Sequence, residues 1–204
     1  MAVREALLAI LLAAPAYGFQ LHGALATRTG GRRRVNVGQS YATLERASKA
    51  GLIESAGATA DGLPLHRLTE AGARVARAWL DGADASGADP WDETVDRVLI
   101  AASLPEIDER PIVTAERERW RARLAESEAH AAGGDPGTPA ELARLAAAAD
   151  AARARAAIGW LEAGVLGAAP GDSLAFAPTL ERPRRGRRPA AAPEDPTTQP
   201  SAIA

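Results

Sequence analysis

One short stretch of the chain holds Gln39, Tyr41, Thr43, Arg46 and Lys49. If Leu44 and Ala47 turn the inner face of a helix toward a core, Gln39, Thr43 and Arg46 are expected to face outward, with Tyr41 at the edge and Lys49 near the helix end. Gln can pair bidentately with adenine and Arg with guanine, while Tyr and Thr can bond phosphate oxygens. This is the chemistry of reading double-stranded DNA. Arg32, Arg33 and Arg34 just upstream are either phosphate contacts or a solvated loop, and Arg67 beside His66 adds one cation further on.

Such side chains need a scaffold, and the pattern around them supplies one. Val3, Leu7, Leu8, Ile10 and Leu11 recur at helical spacing until Pro15, and Leu21 and Leu25 lie one turn apart in a second helix ending near Gly30 and Gly31. Asn36 followed three residues later by Gln39 has capping-box spacing and opens a third helix that closes at Gly51. Leu52–Glu54 and Leu63–Leu68 are two extended runs about a Gly-containing loop, and Thr69 with Glu70 begins another helix whose buried face carries Val75, Ala78 and Trp79. Three helices, a hairpin and a helix predict a winged helix-turn-helix.

Beyond it, residues 81–90 lack periodicity and read as a linker. Helices are expected again around Trp91–Ala102, from Pro111 through Trp120 and Leu124, and from Pro139 to Leu166. In the last of these Leu142, Leu145, Ala149, Ala152 and Ala156 alternate spacings of three and four, a coiled-coil-like seam that needs a partner. The remainder, rich in Pro, Ala and polar residues, reads as a disordered tail. Its run Arg182-Pro183-Arg184-Arg185-Gly186-Arg187-Arg188-Pro189 has the look of an AT-hook with an imperfect flanking order, which favours a non-specific electrostatic tail.

Charge follows the same division. The net charge is −2, but residues 1–80 carry +5, residues 81–180 carry −9 and residues 181–204 carry +2. There is no Cys, and the three His are too scattered for a metal site or a nucleophile–base pair. Glu116, Glu118, Glu126 and Glu128 alternate with Arg and read as an exposed, salt-bridged helix face. The chain is therefore expected to be no enzyme and to hold neither cofactor nor metal. Leu7–Ala14 is too short to span a membrane, which with the lack of Cys suggests a cytoplasmic protein. Trp79, Trp91, Trp120 and Trp160 read as core or interface anchors; a ligand cage lined by Trp79, Trp91 or Trp120 is the other reading.

The stretch Val35-Asn36-Val37-Gly38-Gln39-Ser40-Tyr41-Ala42-Thr43-Leu44, with Lys49-Ala50-Gly51-Leu52-Ile53-Glu54 and Leu68-Thr69-Glu70-Ala71-Gly72, resembles the PadR family of transcriptional regulators over roughly residues 2–80. Pro15 and Tyr17-Gly18-Phe19-Gln20-Leu21 add to the likeness. The resemblance implies a homodimer whose third helix enters the major groove, with the wing beside it and the C-terminal helices building the dimer. It also implies a repressor, in some members released by a small aromatic effector. Ser40 and Ala47 stand where the resemblance leads one to expect larger apolar residues, and the wing tip is poor in charge. Both features suit the other reading, a winged-helix protein-interaction module with weak or no DNA binding.

The expected architecture is thus mainly α: a winged helix-turn-helix over 1–80, a linker over 81–90, a helical dimerisation and effector region over 91–168, and a basic, Pro-rich tail over 169–204.

Overall fold

The computed structural model of the protein describes residues 2–85, 87–132, 137, 139–164 and 174–177. The arginine run 182–188 lies outside the described residues. In chain order the elements are α1 (Val3–Ile10), β1 (Ala16–Tyr17), α2 (Gly18–Arg28), α3 (Val37–Lys49), β2 (Ile53–Ala58), β3 (Pro64–Leu68), α4 (Glu70–Leu80), α5 (Pro90–Ser103), α6 (Glu109–Ala131) and α7 (Pro139–Ala163). The fold is a mainly helical winged helix.

Local chemistry explains where the helices begin. The side chains of Asn36, Thr69, Asp89 and Asp108 each accept from a backbone N–H in the first turn of α3, α4, α5 and α6, satisfying donors that have no partner within the helix. The Asn36–Gln39 spacing does what it predicts, with Gln39 N–H donating to Asn36 Oδ1 at 2.7 Å. The wing is antiparallel, pairing Ile53 with Leu68, Glu54 with Arg67 and Ser55 with His66. It gains a strand that the sequence does not announce: β1 adds to β3 through Ala16–His66 and Tyr17–Leu65, giving the order β1-β3-β2.

Helix α1 is the hub. Ala6, Leu7, Leu8, Ala9 and Ile10 are all buried, against Leu21 and Leu25 of α2, Leu44 and Ala47 of α3, and Trp79 and Leu80 of α4. The same core continues through Ile100, Ala101, Leu104 and Ile112, so the apolar interior runs across the expected linker rather than stopping there. That segment is tied down by α5: Glu93 accepts from the Ala85 N–H at 2.8 Å and Arg97 donates to the Ala83 carbonyl at 3.1 Å.

The winged head also depends on one close approach. A Cβ on Gly72 would lie 1.9 Å from the backbone oxygen of Leu52, which meanwhile accepts from Thr69 N–H at 3.0 Å. Backbone on both sides cannot yield as a side-chain tip can. Gly72→Ala is expected to destabilise the protein by about 3 kcal/mol, the upper end for overpacking, measured as a lower urea midpoint.

In the C-terminal half α6 and α7 pack extensively. The ion pairs Arg121–Glu162 at 2.9 Å and Arg155–Glu128 at 2.5 Å share one antiparallel register. Ala154, Ala157 and Leu161 of α7 meet Val98, Val113 and Trp120 in a second apolar cluster. The seam expected from sequence is elsewhere. At 100° per residue Leu142, Leu145, Ala149, Ala152 and Ala156 lie on the side of α7 opposite this cluster, and all five are exposed, Leu142 to 70 % and Leu145 to 50 %.

Glu116 corrects another expectation. It is fully buried rather than part of an exposed charged face. Its carboxylate accepts from Arg97, from Arg119 at 2.5 Å and from the Thr94 hydroxyl at 2.6 Å. Alternating charge along a helix has the same spacing whether its face meets water or another helix, and here α5 covers it. Glu118, Glu126 and Glu128 do lie on the outer, less covered side.

Candidate nucleic-acid interface

Helix α3 presents its face to solvent because Ser40, Thr43, Leu44 and Ala47 turn inward. Projected around the axis, the outer face is centred on Gly38, Ala42, Glu45 and Lys49, with Tyr41 and Ser48 on one flank and Gln39 and Arg46 on the other. Two small residues at the centre let the helix backbone come close to a partner surface. Glu45 and Lys49 pair at 2.6 Å one turn apart. The lysine and the hydrogen bond it donates hold the Glu45 carboxyl below its ordinary range.

The expected outward residues are therefore not all outward. Thr43 is buried, its hydroxyl donating to the Gln39 carbonyl at 2.8 Å and accepting from Arg46 at 3.0 Å. The physical reason is its spacing: Thr43 lies one turn before Ala47 and shares its face. Thr43 thus steers Arg46 rather than meeting a partner itself. Gln39 is half-buried, while Arg46, Lys49 and Tyr41 are exposed. The Tyr41 ring lies across the start of α2, where a Cβ on Gly18 would come within 2.7 Å of it.

Ser40 is accounted for by a contact that sequence reasoning missed. Its hydroxyl, fully buried, is 3.0 Å from His22 Nδ1. A polar pair joins α2 to α3 where a larger apolar side chain was expected, so α3 is fastened, not loosened. The signal was a His and a Ser on adjoining helices, which spacing alone cannot bring together.

The three arginines before α3 separate. Arg33 has a side chain only 10 % exposed and donates to Asp96 at 2.5 Å, with Asp92 at 3.4 Å. It is a correction to its reading as a phosphate contact: it joins the α2–α3 loop to α5 and faces the protein. Burial pushes the Asp96 carboxyl up, against the opposing pull of Arg33. Arg32 is exposed but paired with Asp92 at 2.9 Å. Arg34 is exposed with no carboxylate partner among the described residues. On the wing Arg67 pairs across the hairpin with Glu54 at 2.8 Å, and both remain exposed. Among the described residues the cations of this face without a carboxylate partner are thus Arg34 and Arg46, with Lys49, Arg32 and Arg67 each shared with an acid.

The tryptophans are mostly committed inside. Trp79 is buried with its indole N–H donating to Glu93 at 3.1 Å, and Trp120 is buried with its N–H donating to Thr94 at 2.9 Å. For Trp79 this is a correction to the cage reading, and both pairings follow from the cost of leaving an indole N–H unpaired in a core. Trp91 is half-buried, its ring edge-on to Trp120 at 6.0 Å and Trp160 at 5.3 Å. A cavity of about 370 Å³ opens beside this group, lined by Trp120, Arg123, His130 and Arg153 among others, with both guanidinium groups over the Trp120 ring. Among the described residues no group of three or more His, Asp or Glu could hold a metal ion, and no helix is long and apolar enough to cross a membrane.

Part of the expected tail is ordered against the head. Phe176 N–H donates to the Ser103 carbonyl at 3.2 Å, and the buried Arg28 at the end of α2 donates to Ser103 Oγ at 2.9 Å and to the Phe176 carbonyl at 3.1 Å. The guanidinium also lies 4.4 Å from the Phe176 ring centre.

Residues 7–78 match the model of the transcriptional regulator PadR-like family. No curated protein matches the chain. Among solved structures, Bacillus subtilis PadR in complex with operator DNA is 17% identical, with a TM-score of 0.37 over 82% of this chain and 98% of that one. The same protein in complex with p-coumaric acid is 17% identical, with a TM-score of 0.36 over 80% and 96%. A further Bacillus subtilis PadR structure is 19% identical, with a TM-score of 0.34 over 79% and 92%.

Proposed function

We propose, from the match of residues 7–78 to the transcriptional regulator PadR-like family, that the protein binds an inverted-repeat DNA operator as a homodimer and represses transcription there. The observation that carries this reading is the exposed face of α3, firmly backed by the α1 core and the His22–Ser40 contact, with Arg46 held by Thr43 on one flank and Tyr41 on the other. Gln39 and Arg46 are the base-reading residues of the proposal. Tyr41, Arg34, Arg32, Lys49 and Arg67 are its backbone contacts, the last three after exchanging an acid for phosphate.

The second copy is seated on the outer face of α7. Leu142, Leu145, Ala149, Ala152 and Ala156 form an uncharged stripe continued by Gly159 and Ala163, and none of it packs within this chain's own clusters. Small residues let two helices approach closely, and a stripe meeting its own copy satisfies two-fold symmetry. For a small aromatic effector the place we propose is the cavity beside Trp120, whose ring lines it with Arg123 and Arg153 and meets Trp91 edge-on.

The neutralised centre of α3 and the paired wing cation favour a second reading, the interaction module without DNA affinity. Selection of bound duplexes from a random pool at stated salt separates the two. The expected result is a palindrome whose enrichment falls about tenfold to 100-fold with Arg46→Ala, the cost of one bidentate base contact. Failure of the folded protein to enrich any sequence would overturn the DNA reading in favour of the module.

A further inference from the structure

An apolar groove of about 600 Å³ runs along one side of α2 to the wing, lined by Ile10, Tyr17, Leu21, Ala24, Leu65 and, at one end, Ala177. Arg28 lines the same end, and Thr59 brings the wing tip into the wall. The groove therefore opens at Ala177 of the docked segment 174–177. That segment is held by the Phe176 N–H donating to the Ser103 carbonyl, by Arg28 donating to the Phe176 carbonyl and by the stacking of Arg28 on Phe176, which sets Ala177 in the groove wall.

We propose that this groove is the seat of the chain's own residues 178–180, and that the strap so formed carries the arginine run 182–188 to the wing side of the winged head. The sequence after Ala177 is Pro178-Thr179-Leu180, followed by Glu181 and the arginines. Proline brings no N–H to be satisfied and leucine brings an apolar side chain, which suits an apolar wall offering few backbone partners. Three extended residues reach about 10 Å, roughly the rise of two turns of α2, enough to pass from the level of Arg28 to that of Leu21. The wing end is also where cations are lacking: its tip is Thr59, Ala60 and Asp61, and its Arg67 is paired with Glu54. A basic arm arriving there supplies phosphate contacts that the wing itself does not offer.

The arm's part in DNA binding rests on the function proposed above, whereas the seat in the groove does not, and the test separates them. The chain has no Cys, so an introduced pair reports its own proximity. In the full-length protein Ala24→Cys with Thr179→Cys is expected to close an intramolecular disulfide under mild oxidation, at least tenfold faster than a control pair of Leu142→Cys with Thr179→Cys; a bond requires the two Cα atoms within about 7 Å. Ala14→Cys with Leu180→Cys is a second pair, in case the first disturbs α2. Closure of both pairs no faster than the control, or a disulfide linking two chains, would overturn the seat. Removal of residues 182–204 is then expected to lower the salt dependence of DNA binding by two or more in the log–log slope, since each phosphate contact contributes about 0.9. An unchanged slope in a protein that still binds DNA would overturn the arm while leaving both the groove and the DNA reading in place.

Discussion

For the proposed α7 dimer, Ala152→Glu is expected to give a monomer and to weaken binding to the proposed operator by more than 100-fold, without loss of fold. Ala152 is exposed and lies across α7 from Ala154, Ala157 and Leu161, which pack toward α5 and α6. Nothing inside the chain needs it to be small, and glutamate is a good helix former, so helicity by circular dichroism should be unchanged. In a two-fold pairing of α7 the substitution brings two carboxylates into a contact built of alanines. Burying an unpaired charge costs several kcal/mol, and 1.4 kcal/mol is already a factor of ten in association. Operator affinity falls with it, because half-sites held by one dimer reinforce each other and separate monomers do not. Sedimentation shows the mass and a DNA titration shows the affinity. A dimer that survives both Ala152→Glu and Ala149→Glu would place the second copy on another face.

The largest effect on stability is expected at Glu116. Glu116→Ala leaves Arg97 buried with its strongest partner gone, and leaves the Thr94 hydroxyl and one bond of Arg119 without an acceptor. Arg97 still donates to the Trp79 carbonyl at 2.5 Å and to Ala83, so the chain holds the guanidinium in place but no longer balances it closely; Glu93 is 3.9 Å away. Removing one member of a buried ion pair costs about 3–5 kcal/mol, against a total stability of about 5–15 kcal/mol for a typical domain. Urea unfolding should show a midpoint lowered accordingly. Glu118→Ala, one turn-edge away and exposed beside Arg121, should change stability by less than about 0.5 kcal/mol. Equal effects of the two would mean that the Glu116 network is not what joins α4, α5 and α6.

The contrast between these two glutamates shows where spacing stops being informative. Both sit in the same alternation with arginine along α6, and only the arrival of α5 on one side makes Glu116 a core residue and leaves Glu118 in water. Arg32, Arg33 and Arg34 present the same difficulty in a loop. Their types are identical, and whether each meets Asp92, Asp96 or solvent depends on how α5 is set against the α2–α3 connection. Thr43 was different: its place one turn from Ala47 already put it on the inner face. His22 and Ser40 needed the fold, since residues 18 apart meet only when α2 and α3 cross.

Read from sequence alone, the order of helices and hairpin, the caps at Asn36 and Thr69, the likeness of the head to the PadR-like family, the stretch that forms α3 and the uncharged stripe of α7 were all legible. Each is written in period, local side-chain-to-backbone bonding or motif, which depend on residues close together in the chain. Tertiary structure decided the rest. It chose which face of α7 turns to α6 and which faces solvent, added the two-residue β1, buried Glu116, Trp79 and Trp120, turned Arg33 to Asp96, and folded Leu174–Ala177 back onto Arg28. These outcomes depend on contacts between residues far apart in the chain. A two-residue strand or an irregular strap has no period to betray it, and a buried charge differs from a solvated one only by what packs over it.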